Sequence, residues 1–231
     1  MIIGSGLIAR AFAPHWQHSR EVCIYAAGVS NSSSRDATEF ARERERLTAA
    51  LAAHAQVPTF VYFGTCSVGD GELQQMPYVQ HKLAMEALVQ PHPGALILRL
   101  PQVAGRTPNP HTLLNFLYAR IARSEGFAVW QHAYRNIIDI ADVVTLANVW
   151  IADPAARGRV FNLANPRCLP MRDIVQAMAQ VVGKKAVYHL EPRGYHYPIE
   201  VSDMLRLLPQ PGVDFEHDYL VRVLRKYYEP A

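Results

Sequence analysis

Two residues in the first half of the chain, Tyr78 and Lys82, have the types and the spacing needed for proton transfer. They lie four positions apart at the start of an expected helix, which places both side chains on one helical face. A nearby ammonium group favours a phenolate, so we expect Lys82 to lower the pKa of Tyr78 toward neutral pH. Such a tyrosine can give a proton to, or take one from, a carbonyl or hydroxyl oxygen.

A hydroxyl-rich segment upstream can complete such a site. The apolar run Thr59–Phe63 is expected to form a strand, and it leads into Thr65 and Ser67. The Thr65 hydroxyl can hydrogen-bond the same substrate oxygen that Tyr78 protonates, whereas simple capping of the strand end is the alternative interpretation. The strand-end hydroxyl precedes the Tyr/Lys pair along the chain, and this order favours the catalytic interpretation.

The chain opens with a glycine-rich turn. Residues 4–9 have the pattern G-x-G-x-x-A between an expected strand and an expected helix. Gly4 permits a tight turn, Gly6 lets the backbone approach a pyrophosphate, and Ala9 allows close packing of helix and strand. The pyrophosphate would lie at the helix N-terminus. A strand–helix connection without a ligand is the alternative.

The acidic residue that usually binds the ribose of a dinucleotide is missing from its expected place. It should end the second strand, about 20 residues after the glycines. Glu21 instead precedes the next strand, Val22–Ala27. Between the glycine turn and this strand there is neither a strand that ends in an aspartate nor an arginine suited to a 2′-phosphate.

Alternating strands and helices must position these residues. The expected strands are Met1–Ile3, Val22–Ala27, Thr59–Phe63, Ala95–Leu100, Phe127–Trp130, Ile137–Ile140, Val160–Leu163 and Ala186–His189, and the expected helices are 6–18, 36–55, 78–90, 111–124, 142–152, 170–182 and 215–228. This alternation predicts an α/β fold with a doubly wound parallel sheet. Residues 1–165 are predicted to form a dinucleotide-binding domain and residues 166–231 a small substrate-binding annex. The annex contains a loop-rich stretch, Glu191–Gly212, and a last helix with Tyr219, Val223 and Leu224 facing inward.

With these elements placed, the sequence resembles the extended short-chain dehydrogenase/reductase family, which contains nucleotide-sugar epimerases, dehydratases and reductases with a Rossmann-like fold. The segments that carry the likeness follow the family's order: Val22–Ser30, Val61–Val68, Tyr78 with Lys82, Leu98–Arg106, Arg135–Val143 and Val160–Ala164.

The resemblance implies a role for each site residue. Tyr78 would be the general acid/base, Thr65 would orient the reacting oxygen, and Lys82 would hold the nicotinamide ribose. It implies cofactor contacts from Gly4, Gly6, Leu7, Ile8, Ala26, Ala27, Gly28, Lys82 and Pro101, and substrate contacts from Gln102 and Arg135. A surface charge at a strand end is the alternative for Arg135.

The implied function is an oxidoreductase of surface-polysaccharide biosynthesis that uses NADP or NAD to transfer hydride at a carbon of a nucleotide-linked sugar. Dehydration is disfavoured, because Thr65-Cys66-Ser67 stands where the 4,6-dehydratases have T-D-E. Gln102 replaces the family's usual asparagine. The short interval between Thr65 and Tyr78 is similar to compact reductases and favours a keto-sugar reductase over a 4-epimerase. The family's second strand is missing from its usual place, so a catalytically inactive ligand-sensing or scaffold protein is the alternative.

Composition narrows the class of protein. The 231 residues are 50% hydrophobic with 13 glycines and 16 prolines, which excludes disorder and collagen-like repeats. A net charge of +3 without a strong basic cluster does not favour nucleic acid, and no apolar run is long enough to span a membrane. Three scattered cysteines and the lack of a secretory signal pattern predict a cytoplasmic protein. The resemblance makes a homodimer possible through the helices near 36–55 and 78–90.

Other residues with reactive side chains are given structural interpretations. His15 and His18 lack a third ligand at metal-binding spacing, so no metal site is expected. Cys66 is interpreted as a small buried residue. The charged run 42–46 is interpreted as a solvated helix face, and His81 as a solvated residue off the face of Tyr78. The absence of G-x-S-x-G argues against a serine hydrolase.

Overall fold

A computed structural model of the chain describes residues 1–208 and 212–230. Within these residues the strands are β1 (Ile2–Ile3), β2 (Val22–Tyr25), β3 (Thr59–Thr65), β4 (Ala95–Leu100), β5 (Gln102–Ala104), β6 (Phe127–Trp130), β7 (Tyr134–Arg135), β8 (Ile137–Asp139), β9 (Arg159–Asn162), β10 (Leu169–Pro170) and β11 (Tyr188–Glu191). The helices are α1 (Leu7–Trp16), α2 (Ala37–Ala53), α3 (Pro77–Val89), α4 (Leu113–Ala122), α5 (Ile140–Ala152), α6 (Met171–Val182), α7 (Ser202–Leu205) and α8 (Tyr219–Tyr228).

The centre of the molecule is a parallel sheet with the strand order β1-β2-β3-β4-β9. Its strands are apolar because both faces are covered, and every residue of β2 and β3 is buried. Helices α2 and α3 cover one face, while α1, α4, α5, α6 and α8 supply the core on the other. The prediction of a Rossmann-like, doubly wound sheet is therefore confirmed.

Strand β1 forms one edge of this sheet. It pairs with β2 in the register Ile2↔Ile24, and α1 connects the two strands through residues 17–21. In the described part of the chain no strand lies beyond β1. The chain therefore passes directly from the first βα unit to the strand that leads into Ala26-Ala27-Gly28. This agrees with the sequence, in which the family's second strand is missing from its usual place.

The smaller elements differ most from the prediction. Strands β5, β7 and β10 are only two or three residues long, and no repeating pattern in the sequence marks them. β2 ends at Tyr25 rather than Ala27, and the short helix α7 lies within the predicted loop, whose residues 209–211 lie outside the described residues. The inward face predicted for the last helix, Tyr219, Val223 and Leu224, is buried.

The division of the chain at residue 165 stays a prediction. Both sides of it contribute to one buried cluster, as Leu163 and Val175 illustrate. Among the described residues, no helix is both long enough and apolar enough to cross a membrane.

Candidate active site

The glycine turn between β1 and α1 has the backbone geometry that its sequence predicts. Gly4 has φ of +131°, a conformation that side chains disfavour, and an added Cβ would collide with the carbonyl of Ala26. Gly6 is the N-cap of α1, makes no side-chain cap bond, and has no heavy atom within 4 Å of an added Cβ. The first amide groups of α1 thus lack a side-chain cap and are accessible to an anion such as pyrophosphate.

Thr65, Tyr78 and Lys82 meet where β3 ends and α3 begins. Thr65 is the last residue of β3, the other two lie in the first turns of α3, and all three are buried. Pro77 starts α3 at the position where a missing N–H costs nothing. Tyr78 shares a hydrogen bond with the Thr65 side chain. The Lys82 ammonium lies 5.9 Å from the centre of the Tyr78 ring.

A buried carboxylate, Glu43 of α2, holds Lys82. Its Oε1 accepts a hydrogen bond from Lys82 Nζ at 3.1 Å and one from the Tyr62 hydroxyl at 3.0 Å. Lys82 Nζ also donates to the Tyr62 oxygen at 3.2 Å. Glu43 Oε2 is bound by the Val29 amide at 2.6 Å and by His81 Nε2 at 2.8 Å. We call Glu43, Tyr62, His81 and Lys82 the Glu43 cluster.

The prediction of a solvated face for residues 42–46 is wrong at Glu43, which is 3% exposed. The buried residues of α2 are Glu43, Leu47 and Ala50, the spacing of a helix face that packs on a core. Counting back one turn from Leu47 would have revealed Glu43, but the alternation of charge concealed this spacing.

The prediction that His81 is solvated is also wrong. His81 is buried, and its ring stacks on Phe40 with the centres 4.4 Å apart. The buried face of α3 is wide enough to include His81 beside Tyr78, Lys82 and Met85. Sequence reasoning missed Tyr62 as well, because a tyrosine within an apolar strand looks like an ordinary core residue.

The expected lowering of the Tyr78 pKa is wrong. Burial raises the pKa of Tyr78 above its ordinary value, and the negative charge of Glu43 raises it further, whereas the hydrogen bond with Thr65 lowers it. Lys82 cannot favour the phenolate as a lone cation would, because Glu43 neutralises it. Tyr78 is therefore a neutral phenol near pH 7, the form that donates a proton.

The pKa of Glu43 reflects its partners. Burial alone would raise the pKa, but the hydrogen bond from His81, the charge of Lys82 and the Val29 amide outweigh burial and lower it to about 2. For Lys82, burial is the larger effect and lowers the pKa, while the negative charge of Glu43 opposes this lowering without cancelling it. Lys82 thus depends on Glu43 to remain charged.

One cavity of about 770 Å³ joins the glycine turn to these side chains. Every residue predicted for the site lines it: Gly4, Gly6, Leu7, Ile8, Ala26, Ala27, Gly28, Thr65, Tyr78, Lys82, Pro101, Gln102 and Arg135. Sequence reasoning missed two cationic side chains of this lining, Arg10 and Arg46. Among the described residues no aspartate or glutamate lines the cavity, which therefore suits a ligand with several phosphate charges.

Arg135 of β7 is half-buried at the cavity wall. Its Nη1 donates to the Tyr134 carbonyl at 2.7 Å, and its guanidinium lies 6.0 Å from the centre of the Trp130 ring. A guanidinium oriented in this way is suited to a substrate phosphate, which its planar N–H groups can bind in pairs.

Cys66 is buried, as predicted, and its thiol donates to the Arg99 carbonyl at 3.3 Å. Burial raises the pKa of Cys66, so the thiolate needed for nucleophilic attack is disfavoured. Within residues 1–208 and 212–230, no group of three or more His, Cys, Asp or Glu side chains is arranged to bind a metal ion.

A known protein family matches more than half of the chain. The sequence model of the NAD dependent epimerase/dehydratase family matches residues 5–164. No curated protein matches the chain in sequence.

Several solved structures share its fold. UDP-glucose 4-epimerase of Thermus thermophilus, in complex with NAD, has a TM-score of 0.73 at 16% identity, over 97% of this chain and 81% of the other. UDP-glucuronic acid 4-epimerase of Bacillus cereus, in complex with NAD, has a TM-score of 0.72 at 19% identity, over 90% and 71%. RMD of Pseudomonas aeruginosa, complexed with NADPH, has a TM-score of 0.67 at 17% identity, over 93% and 84%.

Proposed function

Because this chain belongs to the NAD dependent epimerase/dehydratase family, we propose that it is an oxidoreductase that transfers hydride between NADP or NAD and a carbon of a nucleotide-linked sugar. The observation that carries the proposal is that Thr65, Tyr78 and Lys82 line the same cavity as the glycine turn. A nicotinamide cofactor, when bound, supplies or accepts the hydride. The similar structures that contain NAD or NADPH support this choice of cofactor.

The chain's own residues fit such a cofactor. The uncapped N-terminus of α1 suits a pyrophosphate, and the open space at Gly6 lets it approach the backbone. Lys82 has three N–H donors, of which two bind Glu43 and Tyr62. The third is left for a ribose hydroxyl at the cavity wall. Arg135 would bind a phosphate of the nucleotide sugar.

Reduction of a keto sugar is preferred over 4-epimerisation, because the short interval between Thr65 and Tyr78 is similar to that of compact reductases. In the reduction, hydride reaches the carbonyl carbon, and the carbon–oxygen double bond becomes a single bond. Tyr78 gives its proton to the oxygen, which becomes a hydroxyl group, and solvent later restores the proton to Tyr78. Thr65 hydrogen-bonds the same oxygen and orients it.

The reaction would serve surface-polysaccharide synthesis in the cytoplasm, and a second copy of the chain would pair through α2 and α3.

A catalytically inactive ligand sensor or scaffold is the second candidate. The position of β1 at the sheet edge favours it, because the strands that would flank the adenosine are not found in the described residues. The intact set of Thr65, Tyr78 and Lys82 argues for the enzyme.

Titration of the purified chain with NADPH and with NADH, followed by cofactor fluorescence, separates the two. We expect saturable binding, and hydride transfer to a nucleotide-linked keto sugar in a substrate screen.

Tyr78→Phe should retain cofactor binding and lose turnover by a factor of about 100 or more. The control is Tyr118→Phe, an exposed tyrosine away from this cavity, which should match the unmodified protein. Absence of binding at millimolar cofactor would favour the sensor or scaffold, and full activity in Tyr78→Phe would refute the mechanism.

A further inference from the structure

Glu43 lies behind the proposed catalytic side chains, and no step of the proposed reaction uses it. We propose that Glu43 is a positioning residue: its buried carboxylate fixes the Lys82 ammonium against the backbone at Gly28, with one N–H facing the cavity for a cofactor hydroxyl. This inference rests on the proposed function, because it assigns Glu43 a task only if Lys82 binds a cofactor.

The contacts of the carboxylate leave it little freedom to move. Each oxygen receives two hydrogen bonds, Oε1 from Lys82 and Tyr62 and Oε2 from Val29 and His81, at distances from 2.6 to 3.1 Å. A carboxylate has about four acceptor positions, so all of them are filled. Glu43 therefore orients Lys82 and does not itself bind a ligand.

The position of the pair against the backbone is equally restricted. A Cβ added to Gly28 would lie 2.6 Å from Lys82 Nζ and 2.8 Å from Glu43 Oε1, so no side chain fits between them. Gly28 lines the cavity together with Lys82. The ammonium is thus held at the wall where the cofactor would lie.

Another carboxylate cannot readily replace Glu43. Glu86 is the other carboxylate that acts on the Lys82 charge, and it is bound by Arg99 at 2.7 Å. Without Glu43, Lys82 would be a buried cation without a close partner, and its neutral form would be favoured. A neutral amine is a weaker hydrogen-bond donor than an ammonium group.

The groups whose titration enters the test are those that face Glu43 from the elements packed on α2. They are Tyr25 of β2, Tyr62 of β3, and Tyr78, His81, Lys82 and Glu86 of α3.

The first measurement needs no cofactor. The chain contains four lysines, Lys82, Lys184, Lys185 and Lys226, so protein labelled with ¹³C at the lysine Cε gives a spectrum that one Lys82→Met variant can assign. We expect the pKa of Lys82 to be lower in Glu43→Gln than in the unmodified protein. Glu45→Gln, an exposed neighbour on the same helix, is the matched control and should leave it unchanged. An unchanged Lys82 titration in Glu43→Gln would overturn the proposal.

The second measurement is the affinity for NADPH and NADH as a function of pH. The Glu43→Gln variant should bind the cofactors about tenfold more weakly near pH 8, because it loses a charge-assisted hydrogen bond from Lys82. At lower pH, where Lys82 is charged, the loss of affinity should be smaller. Glu45→Gln should bind like the unmodified protein. If the Lys82 pKa changes and binding does not, Glu43 is only a structural partner of Lys82 and the inference fails.

Two further outcomes are distinguishable. If the unmodified protein binds neither cofactor, the proposed function fails, and the role of Glu43 fails with it. If Glu43→Gln does not fold, Glu43→Asp keeps the charge but shortens the side chain. That variant should retain a protonated Lys82 and bind NADPH about threefold more weakly; unchanged binding would overturn the inference.

Discussion

The Lys82 ammonium forms a buried ion pair with the Glu43 carboxylate, and neither side chain is more than 4% exposed. A buried ion pair adds little stability by itself, but removal of one partner leaves an uncompensated buried charge. Burial is the main reason why the pKa of Tyr78 is raised, and the negative charge of Glu43 adds to this effect. The charge of Lys82, which lines the cavity, therefore depends on Glu43, which does not line it.

The pKa of Glu43 predicts a dependence of stability on pH. Its value in the folded protein is about 2, below the ordinary 4.5 of a glutamate, so its contribution to stability is present above pH 4.5 and is lost as the pH falls toward 2. Urea unfolding at pH 7 and pH 3 should therefore show a smaller pH dependence in Glu43→Gln than in the unmodified protein. Glu45→Gln should follow the unmodified protein, and equal pH dependence in all three would contradict the lowered pKa.

At the scale of elements, α8 fixes the start of α5. The Tyr219 hydroxyl donates to Asp142 Oδ2 at 2.6 Å and accepts from the Asp139 amide at 2.8 Å. Asp139 is the N-cap of α5, and its carboxylate accepts hydrogen bonds from Lys226 and Tyr227 of α8. Since Asp139 also ends β8, which pairs with β5, these contacts connect the C-terminal helix to one wall of the cavity.

Tyr219→Phe tests this connection. Loss of the hydroxyl leaves the buried Asp142 without its donor, so we expect the free energy of unfolding to fall by about 1–3 kcal/mol. Cofactor affinity should change little, because Tyr219 does not line the cavity. Tyr188→Phe, a half-buried tyrosine on β11, is the control in denaturant unfolding. A tenfold loss of cofactor affinity in Tyr219→Phe would mean that α8 shapes the site directly.

For the molecule as a whole, β1 is an edge strand of the sheet among the described residues, and the charged side chains that line the cavity are cationic. Its cationic lining residues are Arg10, Arg46, Lys82 and Arg135, and no carboxylate of the described residues joins them. Discrimination against a 2′-phosphate usually requires an acidic residue at the ribose. This cavity contains none among the residues that the structure describes, and its field attracts additional negative charge.

We therefore expect NADPH to bind at least as tightly as NADH at about 0.05 M salt. The difference should shrink at about 0.5 M salt, because exposed charges such as Arg10 and Arg46 are screened over a few ångströms at that concentration. Fluorescence titration of both cofactors at the two salt concentrations measures this effect. Tighter binding of NADH at low salt would show that contacts to the ribose, and not the field of the cavity, select the cofactor.

The main strands and helices, and the residues that meet at the carboxyl ends of the central strands, could be predicted from local sequence patterns. The glycine turn, the strand that ends in Thr65 and the spacing of Tyr78 and Lys82 are local patterns, and each depends on neighbours within a few residues. Parallel strands then bring their carboxyl ends to one edge of the sheet, so these residues could be predicted to share a site without knowledge of the tertiary structure.

The burial of charged residues and the identity of their partners could be established only from the folded chain. Glu43 lies 39 residues before Lys82, and no local pattern states that a glutamate in an alternating charged run faces an ammonium group across the protein. Burial of Tyr78 and the charge of the distant Glu43 raise the pKa of Tyr78, which is why the sequence-based expectation for this pKa was wrong. The sequence did not predict the short strands β7 and β10 for the same reason, since each exists only because the other pairs with it. Burial of a charge and pairing of a short strand both depend on a distant partner, and only the folded chain brings that partner into contact.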